Sequence, residues 1–167
     1  MTGFAAPTIR DFEPADAAAV NQVALSAWQQ YAAVFAHWTQ TAKFVGNTAA
    51  LTSDAQLIVA ELDGAIRGVV GYVAPGRGRL DVFPPEWAII RMLSVDPVAR
   101  GFGIGRRLMQ ECVKRARAER VAVIGLHSSP VMRVALALYE RMGFKLARAL
   151  PDRNGVPYAL YSMALDG

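Results

Sequence analysis

Cysteine is nearly absent from this 167-residue chain. Cys112 is the only one, so no disulfide can form within the chain, and a reducing compartment, read as the cytoplasm, suits it. Histidine is almost as scarce, with His37 and His127 alone, and no metal is expected. No apolar run approaches the ~20 residues that span a bilayer. The N-terminus has no charged start leading into an apolar core, so no signal peptide and no membrane partner are expected. Repeats and low-complexity linkers are missing too, and the length suits one domain covering residues 1–167. What is present is globular: 53% hydrophobic and 19% charged residues exclude a disordered chain. That apolar content is compatible with a homodimer.

Acidic residues are in deficit, and the deficit is local. Eighteen Lys and Arg stand against fourteen Asp and Glu, a net charge of +4. The stretch Val95 to Arg120 holds seven basic residues and three acidic ones, which is the whole excess. A positive field focused on one segment attracts a polyanion. A nucleic acid is the rival partner, but no aromatic side chains interleave with the charges to stack bases.

The same stretch carries the most informative pattern. Leu93 to Leu108 reads as the end of a buried strand, a turn at Asp96-Pro97, a glycine loop and the start of a helix. Gly101, Gly103 and Gly105 let backbone amides approach a ligand. The first N–H groups and the dipole of the following helix make an anion cradle. Arg100, Arg106 and Arg107 add fixed charge. No Gly-Lys-Ser/Thr follows, so this is not a Walker A loop, and Arg106 stands where a dinucleotide fingerprint needs its third glycine. The pattern resembles the acyl-CoA loop of the GNAT superfamily of N-acetyltransferases, Arg/Gln-x-x-Gly-x-Gly/Ala, here Arg100, Gly103 and Gly105 after Leu93, Val95 and Pro97. The resemblance implies that Arg100, Gly101, Phe102, Gly103, Ile104, Gly105 and Arg106 hold the pyrophosphate of acetyl-CoA. It also implies that Leu93, Ser94 and Val95 pair with the pantetheine arm.

Hydrophobic periodicity and turn residues predict strands at Thr8 to Phe12, Gln56 to Leu62, Ala65 to Val73, Trp87 to Val95, Val121 to Leu126, Phe144 to Leu150 and Pro157 to Leu165. Helices are predicted over Ala17 to Gln30, over Gly103 to Ala118, and from a Ser129-Pro130 cap to Met142. Tyr31 to Phe44 reads as either a second helix or a loop. This order predicts an α/β (α+β) fold, a mixed sheet of about seven strands with helices on both faces. It is similar to the GNAT order over nearly the full length. Ala135, Tyr139, Gly143 and Phe144 resemble that family's second CoA-contacting segment, which implies two central parallel strands that splay apart.

The resemblance implies transfer of an acetyl group from acetyl-CoA to a primary amine by direct attack. The amine must lose a proton (pKa ~10.4), the carbonyl oxygen must be stabilised, and a thiolate (pKa about 8.5) must leave. Tyr139 is the expected acid, and a main-chain N–H between Met92 and Ser94 the expected oxyanion donor. The central strand is aliphatic where many GNAT relatives carry a glutamate. The base is therefore open among Glu86 (the nearest carboxylate and the first choice), Asp81, His37, His127 and water. Met132 replaces an asparagine common in that family, so the contact with the pantetheine amides is lost, replaced or taken by Ser128 or Ser129. Cys112 reads as core rather than nucleophile. Trp28, Tyr31, Phe35, Trp38, Arg77 and Arg79 are candidates for acceptor recognition. Two alternatives stand beside the enzyme: a module that binds acyl-CoA without turnover, and a protein acting on RNA.

Overall fold

Gln56–Leu62 (β2) and Ala65–Val73 (β3) form an antiparallel hairpin. Its turn residues Asp63 and Gly64 take φ of 52° and 77°, the left-handed pair that a two-residue connection requires. The computed structural model describes residues 5–77 and 81–166. Thr8–Asp11 (β1) pairs with β2, and Ala88–Val95 (β4) pairs with β3. Val123–Ser128 (β5), Lys145–Arg153 (β6) and Val156–Ala164 (β7) complete a seven-stranded sheet in the order β1-β2-β3-β4-β5-β7-β6. Among the described residues only β4 and β5 run parallel. A second tight turn, Asn154-Gly155 at φ 49° and 79°, joins β6 to β7.

Strand alternation sorts the side chains to two faces. Ile58, Ala60, Val70, Tyr72, Ala88 and Ile90 face the helices Ile104–Ala118 (α3) and Arg133–Met142 (α4). Leu57, Val59 and Val69 face Val20 of the helix Ala17–Trp28 (α1). A short helix, Trp38–Val45 (α2), packs against α1. The mixed sheet with helices on both faces is as expected, and two boundaries differ. Ser129-Pro130 makes a turn, with the Met132 amide bonded to the Ser129 carbonyl at 2.9 Å, and α4 begins only at Arg133. The open stretch Tyr31 to Phe44 holds both structures: a 3-10 turn at Gln29–Tyr31, a loop, then α2.

Two irregularities at the sheet's centre position the site. β4 and β5 pair only at Ala88–Ile124 and Ile89–Gly125, and then part. On its other edge β4 bulges: Gly71 pairs with Arg91 and Val69 with Ser94, so three steps of β4 match two of β3. The extra residue falls at Met92, held at φ 53°, a conformation costing a non-glycine residue about 1–2 kcal/mol. Helices α3 and α4 cover the gap from one face, and the chain after α1 reaches it from the other.

Candidate active site

The parting of β4 from β5 opens into a cavity of about 1420 Å³ that reaches from the α3 N-terminus to the aromatic residues after α1. At one end lies the glycine loop. Gly101 and Gly103 take φ of 88° and 74°, and a Cβ built on either would meet nothing within 4 Å. Gly103 is the N-cap of α3 and no side chain caps the helix, so its first amides remain available to an anion. The cradle fits a phosphate on these grounds. Arg100 and Arg106 line it, with Lys114 and Arg117 farther along α3.

Other members of the loop have different work. A Cβ on Gly105 would stand 3.3 Å from Leu138 Cδ2 and 3.6 Å from Val95 Cγ2, so this glycine serves close packing of α3. Phe102 packs on the core and is not among the lining residues, whereas Ile104 is both buried and a lining residue. Arg107 turns away and donates to the Pro7 carbonyl at 2.6 Å. Arg115 pairs with Asp11 and Glu111.

Leu93, Ser94 and Val95 line the middle of the cavity beside Tyr139. Tyr139 is 7% exposed, and its phenol makes no hydrogen bond to any described residue. Burial, then Tyr31 and Cys112, raise its pKa above the ordinary value, so it stays protonated at neutral pH. Met132 and Ser128 also line the wall, with Ser128 Oγ 3.7 Å from Met132 Sδ. Cys112 is fully buried in the α3 core, and burial pushes its thiol up to about 12, which removes it as a nucleophile.

The far end lies on the α1 face. Trp28, Tyr31 and Phe35 line it and pack on one another, with ring centroids 5.9–6.2 Å apart. Of the candidate bases only His127 lines the cavity. Its ring stacks on Phe83 at 5.8 Å and meets Tyr158 edge-on at 5.5 Å. Burial first, then Arg153 and Arg91, push its pKa down to about 4, so the imidazole is neutral. Arg153 Nη1 stands 3.5 Å from Nε2. A guanidinium only donates, so Nε2 accepts and Nδ1 carries the proton. That Nδ1 is buried without a partner. Glu86 and Asp81 are exposed and outside the cavity, Asp81 lining a separate shallow groove. His37 is exposed at the start of α2, Arg77 is exposed outside the cavity, and Trp38 packs behind Phe35. Arg79 lies outside the described residues. Sequence reasoning missed Arg91, Arg153 and Tyr158. Arg91 did carry a signal, being the one charge inside the apolar strand β4.

Comparison with known proteins bears on this geometry. Residues 20–144 match the model of the acetyltransferase (GNAT) family. Blasticidin-S acetyltransferase of Streptomyces morookaense is 37% identical over 67 residues, 40% of this chain and 48% of that protein. N-alpha-acetyltransferase RimI of Mycobacterium tuberculosis is 39% identical over 77 residues, 46% of each. The chain thus spans about half the length of these curated relatives. A GNAT family acetyltransferase from Brucella melitensis, solved with acetyl-CoA, superposes with a TM-score of 0.65 at 23% identity, over 96% of this chain and 89% of that one. With the family match covering most of its length, the splayed strands and the glycine-loop helix identify this chain as a member of the GNAT acetyltransferase family.

Proposed function

We propose that the chain is an N-acetyltransferase that takes its acetyl group from acetyl-CoA and passes it to a primary amine by direct attack. The observation that carries this reading is one continuous cavity, joining the uncapped α3 N-terminus to Tyr139 and then to an aromatic chamber on the opposite face of the sheet. Acetyl-CoA, the substrate held by the Brucella neighbour, supplies the thioester.

The loop from Arg100 to Arg106 grips the diphosphate, and the β4 edge from Leu93 to Val95 receives the pantetheine amides. An amine in the aromatic chamber loses one proton to water beside His127, and its nitrogen attacks the thioester carbon. A main-chain N–H at the Met92 bulge steadies the oxyanion. The C–N bond forms and the C–S bond breaks. Tyr139 donates a hydrogen bond to the departing sulfur, which leaves as a thiolate; the second amine proton goes to solvent, and the thiolate takes its proton from there. Glu86 has no part, being outside the cavity.

The test follows thiol release with acetyl-CoA and a panel of amines, alongside calorimetry of acetyl-CoA alone. Turnover with at least one amine is expected. Tight binding without turnover on any amine would establish the acyl-CoA-binding module instead.

A further inference from the structure

Among the described residues, seven Lys or Arg and no Asp or Glu line the cavity. The phosphates of the donor account for those at the α3 end. They do not account for Arg91 and Arg153, which lie on the other face of the sheet.

Strand parity shows this for Arg91. Ala88 and Ile90 face the α3 core, whereas Ile89 packs with Val73, Phe83 and Leu160 on the opposite face. Arg91 is two residues beyond Ile89, before the bulge at Met92, so it shares that opposite face. His127 is likewise two residues beyond Gly125, the last partner of β4 on β5. Arg91 and His127 therefore stand at matching positions just where the strands part. Arg153, at the end of β6, completes the group through His127 and lies over the Tyr158 ring at 5.5 Å. Arg91 is half-buried and makes no ion pair or hydrogen bond to a described residue, although the Asp54 carboxylate attracts it from a distance more than Arg153 repels it. Arg153 makes no ion pair with a described residue. Two guanidiniums, one half-buried and one at the cavity rim, thus stand on the same face without a paired carboxylate, and an anion placed between them meets both.

Resting on the acetyltransferase reading above, we infer that the acceptor amine carries its own carboxylate, as an α-amino acid with an apolar or aromatic side chain does: Arg91 and Arg153 clamp the carboxylate while Trp28, Tyr31, Phe35 and Tyr158 receive the side chain. A carboxylate matches guanidinium geometry in paired hydrogen bonds. It is joined to the α-carbon that bears the amine, so anchoring it fixes the nucleophile beside the thioester. The same contact draws Arg153 from Nε2 of His127. Two charges that depress that imidazole are then neutralised, and its lone pair is released toward the amine's proton. A protein amine, a lysine or a chain N-terminus, brings no such carboxylate.

The experiment measures kcat/KM by thiol release for phenylalanine and tryptophan, their amides, phenethylamine, tryptamine and the dipeptide Phe-Gly, with acetyl-CoA saturating. The free amino acids are expected to exceed every other member by at least about tenfold. Arg91→Gln, and independently Arg153→Gln at the exposed hairpin end, should collapse that ratio toward one. Equal turnover of acids, amides and decarboxylated amines would overturn the inference and leave the acetyltransferase reading intact. Preference for Phe-Gly would overturn it in favour of a more distant carboxylate. No turnover of any amine would remove both.

Discussion

Tyr139 holds its proton more tightly than a free phenol because its ring is sealed into the core, 6.2 Å from that of Phe144. Passing the proton fully to a thiolate of pKa about 8.5 from a phenol above about 10 runs uphill by some 2 kcal/mol. Its contribution is therefore a hydrogen bond to developing negative charge, at the low end of general-acid effects. Tyr139→Phe should lower kcat by about 10- to 100-fold and leave acetyl-CoA affinity in calorimetry within about twofold; unchanged kcat would reduce Tyr139 to packing. His127 makes a prediction about stability. The unfolded imidazole binds its proton near 6.5 and the native one only at about 4, so the native form is disfavoured as pH falls below the unfolded value. From pH 7 to pH 5 the loss is about 1–2 kcal/mol, read as a drop in urea midpoint that His127→Gln abolishes. Asp16, whose carboxyl Arg10 holds below its usual range, adds its own loss only in more acid solution. At this scale the sequence was half legible. A tyrosine in a motif can be read, but which scarce histidine or carboxylate faces a cavity depends on strand parity and on where two strands part.

Turns and helices are readable because their causes are local. Asp63-Gly64 and Asn154-Gly155 adopt positive φ where any hairpin of that length must, and α3 follows from its spacing of Leu108, Cys112 and Ala116 against polar residues. The parting of β4 from β5 has no such cause. Both strands are apolar on two faces, as any central pair is, and a methionine is not the residue that marks a left-handed bulge. The α4 start misled for the opposite reason, since a serine followed by proline serves a turn as well as a cap. How firmly the phosphate end is placed is also decided between elements. A Cβ on Gly68 of β3 would stand 2.6 Å from Ile104 Cγ2 and 3.0 Å from Leu108 Cδ1. Ile104 is the first residue of α3, next to Gly103. Gly68→Ala should cost about 1–3 kcal/mol by overpacking and displace the helix end that grips the diphosphate. Calorimetry should show acetyl-CoA affinity falling several-fold. Gly71→Ala, where the new methyl meets its neighbours at 3.4 Å or more, should leave that affinity alone; equal losses in the two would detach the cradle from the β3–α3 contact.

Over the whole molecule the net charge of +4 predicts attraction of a polyanion without saying which cations exert it. The structure divides them. Arg115 is spent on Asp11 and Glu111, and Arg107 on the Pro7 carbonyl. Arg100, Arg106, Lys114 and Arg117 line the cavity and carry no internal ion pair. These four present their charge to the donor's phosphates at the α3 end, and their field acts through solvent at the cavity mouth, where the screening length falls from about 10 Å at 0.1 M salt to about 3 Å at 1 M. Acetyl-CoA affinity should therefore weaken by roughly an order of magnitude between 0.05 and 0.5 M salt. Paired exposed ions contribute at most about 1 kcal/mol to folding, so the urea midpoint should move far less. Lys114→Ala and Arg117→Ala should each flatten the dependence of affinity on salt. Arg115→Ala should leave the slope as it is and act on stability instead. If Arg115→Ala flattens the slope as much as Lys114→Ala does, then the attraction comes from the helix as a whole rather than from the cations that face the cavity. A polyanion lying along the outside of α3, as a nucleic acid would, then becomes the better account of the basic segment.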